Sequence, residues 1–174
     1  SGGHRASLRM VAECRADVEA MAAIVAERLK NKPDDAQGWQ MASASNPRMA
    51  YTPSWTASVT NPTLGNGTLT GKFTQVGAQV HYQIDLVIGS TTTLGSGIYA
   101  FSLPSTALSV ASIPHGVGIM EDVGTAYHAV VIQELTSTTV RLLTTAASGL
   151  VTDASPIAWA TGDSIRLTGT YEAG

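Results

Sequence analysis

Residues 67–88 restrict what this chain can fold into more than any other stretch. Val80, Tyr82, Ile84, Leu86 and Ile88 recur at a strict period of two, the spacing of a strand that buries one face. Just upstream, Leu69, Gly71 and Phe73 alternate with Thr68, Thr70, Lys72 and Thr74, and Gly77-Ala78 between the halves reads as a tight turn. A hairpin of this length is not stable alone in water. The remaining chain must therefore supply strands that cover its apolar face.

Those strands are legible downstream. Residues 55–60 begin the series, and Asn61-Pro62 with Leu64-Gly65-Asn66-Gly67 supplies turn chemistry before the hairpin. A Thr- and Gly-rich loop over 89–97 leads to a strand at 98–103 that stops at Pro104. A weaker strand at 117–120 and a turn at Glu121-Asp122-Val123-Gly124 precede 126–135. There Tyr127, Ala129, Val131 and Leu135 alternate with Ala126, His128, Val130, Ile132 and Glu134, so both faces are fairly apolar and the strand is expected to be central. Residues 139–144 pair with it, 146–156 form a long loop, and 164–171 make the last strand with Ile165, Leu167, Gly169 and Tyr171 facing inward. The pattern predicts a mainly β head over 51–174, an antiparallel sandwich of jelly-roll type.

The start of the chain follows another rule. Residues 5–32 are rich in Ala, Glu, Arg, Met and Leu, lack Gly and Pro, and end at Asn31-Lys32-Pro33, which predicts a helix. Val11, Val18 and Val25 recur every seven residues, and Cys14 and Met21 follow the first two by three, a seam like that of a coiled coil. Leu8, Ala22 and Leu29 widen the stripe in a way compatible with three chains. Arg28 stands where the next seam residue would fall, and docking of the helix on its own domain is the alternative. Residues 33–50 read as a linker arm in which Trp39, Met41 and Met49 dock on a neighbouring surface.

Composition removes several functions. Charged residues make up 13% of the chain, the net charge is −3, and Lys and Arg form no patch on the strands, which does not suit a nucleic-acid backbone. The single cysteine, Cys14, cannot form a disulfide within the chain. The apolar run near the start is broken by Glu13, Arg15, Asp17 and Glu19 and does not read as a signal peptide. No stretch offers the ~20 apolar residues of a membrane span.

Catalytic patterns are weak. His115, Glu121, Asp122 and His128 are the densest set of possible metal ligands, but their spacing matches no zinc signature, so neither metal nor cofactor is expected. His81 alternates with the buried face of its strand and reads as a solvated or intersubunit histidine. Sugar cleavage would need two of Asp85, Glu121, Asp122, Glu134, Asp153 and Asp163 facing each other across a cleft. Aromatic residues at loop borders point instead to binding, because a sugar ring stacks an apolar C–H face on Trp or Tyr. Tyr99, Tyr127, His128, Trp159 and Asp163 are the ligand-binding candidates. Trp159 could equally belong to the core, and Asp163, after Gly162, could equally shape the turn into the last strand.

Several stretches carry a resemblance. Tyr51-Thr-Pro-Ser-Trp55, Asn61-Pro-Thr-Leu-Gly-Asn-Gly-Thr-Leu-Thr-Gly-Lys-Phe73, Gln75-Val-Gly77 and Val80-His-Tyr-Gln-Ile84 are similar to C-terminal head domains of minor tail and tail-fibre proteins of tailed phages and prophages. Gly89-Ser-Thr-Thr-Thr-Leu-Gly-Ser-Gly97 and Tyr99-Ala-Phe-Ser-Leu-Pro104 extend the likeness, which covers residues 50–104 and elsewhere only composition and strand rhythm. It implies a homotrimer in the phage tail, a helical stem before a β-rich head, contacts with other tail proteins, and attachment to a host cell-surface glycan without catalysis. No catalytic residue carries over. A purely structural trimerising tip, a small glycan hydrolase and a bare monomeric carbohydrate-binding module are the alternatives.

Overall fold

The alternation at 67–88 becomes β3 (Thr68–Val76) and β4 (Gln79–Val87), paired without interruption from Thr68↔Val87 to Val76↔Gln79. Gly77, at φ +60°, takes the first of the two turn positions, where a type II′ hairpin turn favours glycine. The computed structural model describes residues 21–23, 47–108, 112–145 and 149–174. The other strands are β1 (Met49–Tyr51), β2 (Trp55–Ala57), β5 (Tyr99–Ser102), β6 (Pro114–Asp122), β7 (Ala126–Thr136), β8 (Thr139–Thr144) and β9 (Ser164–Glu172).

Among the described residues, all nine strands join one antiparallel sheet in the order β1-β3-β4-β9-β6-β7-β8-β5-β2. Its two ends, β1 and β2, are separated in the chain only by Thr52, Pro53 and Ser54. Laid flat at ~4.8 Å per strand, such a sheet would be roughly 38 Å wide. The four Cα steps from Tyr51 to Trp55 reach about 14 Å at most. The sheet must therefore curl until its ends are neighbours. Ser54 and Ser102 carry the β2–β5 pairing one step into this turn, with the Ser54 amide donating to Ser102 Oγ at 2.8 Å and the Ser102 amide to the Ser54 carbonyl at 3.0 Å.

The expected jelly roll, two stacked sheets, is replaced by this single curled sheet. The reason lies in β9, which pairs with β4 along one edge and with β6 along the other and so leaves no break between the hairpins. β1 also corrects the expected arm, since Met49, Ala50 and Tyr51 pair with Phe73, Lys72 and Gly71. The ring of Tyr51 lies against Gly71, where a side chain would collide with it.

Inside the curl lie Val80, Tyr82, Ile84 and Leu86 of β4, Tyr99 and Phe101 of β5, Met120 of β6, Ile132 of β7, Val140 and Leu142 of β8 and Ile165 of β9, all at 0% exposure. Each such burial is worth ~1.5–3 kcal/mol. Val151 and Ile157 bring the loop before β9 onto the same core.

Residues 1–45 form a separate unit. Residues 21–23 are helical, and Met21 is 65% exposed. Val11, Cys14, Val18 and Val25 of the expected seam, together with Trp39 and Met41 of the arm, lie outside the described residues.

Candidate functional site

The outward face of β4, β9, β6, β7 and β8 departs from the polar surface expected of an antiparallel sheet with one face in water. Strand register aligns side chains into rows across it. One row runs Gln83, Thr168, Val117, Val131, Leu143; the next runs Asp85, Arg166, Ile119, Ala129. Val117 is 59% exposed and Ile119 52%. Contiguous apolar exposure of this kind marks interaction surfaces.

The β6 ridge of Val117 and Ile119 separates two recesses. One, of about 400 Å³, lies toward β9 and β4 and is lined by Gln83, Asp85, Ile119, Tyr127, Arg166 and Thr168 among others. The second, of about 430 Å³, lies toward β7 and β8 and is more apolar, with Val117, Ile119, Ala129, Val131 and Leu143.

Tyr127 stands at the end of the first recess with 71% of its surface exposed. Its hydroxyl donates to Glu121 Oε1 at 3.0 Å, and that bond, with the nearby carboxylate charge, pushes the phenol above its ordinary pKa. Ser164 Oγ donates to Glu121 Oε2 at 3.3 Å, and Arg166 Nη2 lies 3.7 Å from the same oxygen. Glu121 thus links the ring to β9. Arg48 donates to Gln83 Oε1 on the far side of the groove. An exposed aromatic platform beside amide, carboxylate, guanidinium and hydroxyl groups can hold a polyhydroxylated ligand by stacking and hydrogen bonds.

No family model matches this chain, and no curated protein or solved structure matches it.

Of the sequence-derived ligand candidates, Tyr127 alone reaches this face with its ring open to solvent. Tyr99 is fully buried and donates its hydroxyl to the Leu94 carbonyl at 2.9 Å; burial, then the Asp153 charge, pushes its pKa up. Asp163 is also fully buried and shapes the turn. Its Oδ1 accepts the Val123 amide at 3.0 Å and its Oδ2 the Ala160 amide at 2.7 Å. Trp159 is half-buried, with its ring 6.0 Å from that of Tyr99 and Nε1 donating to the Thr152 carbonyl at 2.9 Å. His128 is half-buried opposite Met120, on the inward parity of β7.

Among the described residues, no three His, Cys, Asp or Glu side chains are placed to hold a metal ion. Glu134 is buried against His115, and Asp153 accepts the Gly97 amide at 2.8 Å. Sequence reasoning missed Gln83, Arg166 and Thr168. Each is an ordinary outward residue of its strand, and only the pairing of β4 with β9 and of β9 with β6 gathers them.

Proposed function

We propose that this chain is a non-enzymatic attachment module in which the outer face of the curled sheet binds a glycan on a host cell surface, with Tyr127 as the stacking platform. The observation that carries the reading is the exposed Tyr127 ring, fixed by Glu121 at the end of a groove edged by Gln83, Asp85, Arg166 and Thr168. The resemblance of residues 50–104 to tail-fibre heads is what favours a position for such a module at the tip of a phage tail. The valine seam of residues 5–32 would form a trimeric neck that presents three heads together. Shallow sites of this kind bind weakly alone, and linking them raises avidity by roughly 10²–10⁴.

The test is retention of the whole chain on cell walls from candidate hosts, alongside its mass in solution. Retention on one host's walls, lost in Tyr127→Ala, together with a trimeric mass, is the expected result. A monomer indifferent to every wall overturns the reading.

A second reading has its own observation. The recess of about 430 Å³ lined by Val117, Val131 and Leu143 suits a protein partner better than a sugar. It fits a connector or tip that contacts other tail proteins. Val131→Glu should then abolish tail assembly while Tyr127→Ala leaves it intact.

A further inference from the structure

The Tyr127 ring borders two recesses rather than one. Beyond it from the groove of about 400 Å³ lies a smaller one of about 220 Å³, formed by Glu121, Asp122, Gly124, Thr125, Ala126 and Tyr127 itself. Alone, the smaller recess falls below the ~300 Å³ at which small-molecule sites begin. With Tyr127 as a shared wall, the two become adjacent halves of one site.

The halves differ in charge. The larger is lined by one acidic and one basic residue, Asp85 and Arg166, and its Gln83 receives a hydrogen bond from Arg48, so it is not acidic. The smaller is lined by the acidic residues Glu121 and Asp122, with no Lys or Arg lining it among the described residues. Arg166 reaches Glu121 only at 3.7 Å from the β9 side, with its own side chain 64% exposed. Exposed charges act over ~8 Å at physiological salt, so Arg166 offsets one of the two acidic residues and the other leaves an anionic group entering the smaller recess facing net repulsion.

We infer that the ligand straddles Tyr127 as an oligosaccharide of at least two units, with an uncharged or amino-bearing sugar, never an acidic one, seated over Glu121 and Asp122. This rests on the glycan-binding reading above and narrows it. Length matters because one sugar can engage one side of the ring, whereas a linked pair fills both recesses at the cost of ordering one molecule. Glu121 acts as a positioning residue: by accepting the Tyr127 hydroxyl it ties the ring in place between the two halves.

The test titrates the whole chain with three series of oligosaccharides, each from one to four units: maltose-type neutral sugars, N-deacetylated chitosan oligomers and oligogalacturonates. The readout is the NMR shifts of the Tyr127 ring protons and of the Asp122 and Gly124 amides, beside wall retention of the same preparation. Expected are binding that tightens at least tenfold from one unit to two in the neutral or amino series, and no saturable binding of oligogalacturonate. The Asp122→Asn variant should lose preference for the amino series while keeping the neutral one. Equal binding of one and two units, or oligogalacturonate binding as tightly as the others, overturns the inference. Retention on walls that survives while no series perturbs the Tyr127 ring also overturns it and leaves the attachment reading in place. Loss of both removes the two together.

Discussion

Two carboxylates on neighbouring strands of the same sheet have opposite surroundings. Glu134 of β7 lies inside the curl at 2% exposure, 3.2 Å from His115 Nε2, and the His115 ring is stacked on Tyr171 with centroids 5.5 Å apart. Glu121 of β6 lies outside, holding Tyr127 and facing Arg166. The inner pair is enclosed, and His115 Nδ1 and Glu134 Oε1 find no partner among the described residues. Buried polar atoms left in that state are costly. The outer cluster is wet and worth little to stability, as surface ion pairs generally contribute ~0–1 kcal/mol. A carboxylate inside this sheet therefore governs whether it folds, and one outside governs what it can touch.

The largest expected effect is on the inner pair. Glu134→Ala or His115→Ala leaves its partner buried without a counterpart and should lower the unfolding free energy by about 3–5 kcal/mol. The double change His115→Leu with Glu134→Leu should cost less than either single one. Denaturant unfolding of the three variants is the measurement, and singles within ~0.5 kcal/mol of the unaltered chain would erase the contrast with the outer face. Next comes Asp163→Ala, which strips two backbone amides of their acceptor at ~1–3 kcal/mol each. It should cost at least ~2 kcal/mol and loosen the turn after β6, seen as faster hydrogen exchange at Val123.

Tyrosines sharpen the same comparison through pH. Burial, then the charges of neighbouring tyrosines, raises the pKa of Tyr51 and Tyr82, while burial and Asp153 raise that of Tyr99. A phenol whose folded pKa lies above its unfolded value contributes stability in full below the unfolded value of ~10 and loses it as pH climbs from there toward the folded value. Stability should therefore decline above about pH 10, with the phenolate absorbance of these three appearing only as the chain unfolds. Tyr127, exposed, should titrate within the folded protein. Simultaneous titration of all four in the folded state would contradict the assigned burial. The smallest effect on stability belongs to Tyr127→Ala, expected to leave the denaturant midpoint unmoved, although it should lower wall retention at least tenfold.

How far the sequence carried the fold depended on how one-sided each strand is. β4 has a polar face and an apolar face, so its period of two is enough to assign Val80, Tyr82, Ile84 and Leu86 to the core. β8 and the hairpin turn were legible for similar reasons. β7 is apolar on both faces, and periodicity alone could not say that Val130 and Ile132 go in while Tyr127 and Val131 stay out. β1 offered only three residues, too few for a period.

Irregular pairing hid the rest. A bulge between Pro114 and Gly116 turns His115 inward, where unbroken alternation would have put it beside Val117 and Ile119 on the outside. A second irregularity between Glu134 and Thr136 accompanies the other half of the pair. The candidate site depended on register in the same way. Tyr127 was visible as an aromatic at a strand border, but Arg166 and Gln83 become its neighbours only once β9 is known to lie between β4 and β6.

Mapping solubilised host wall glycan onto the backbone amides by NMR tests the central claim most directly. The account predicts shifts clustered on the outer face, at Gln83, Ile119, Tyr127 and Thr168, with the core amides of β4 unmoved. Shifts confined to the loop around Trp159, with the outer face silent, would contradict it.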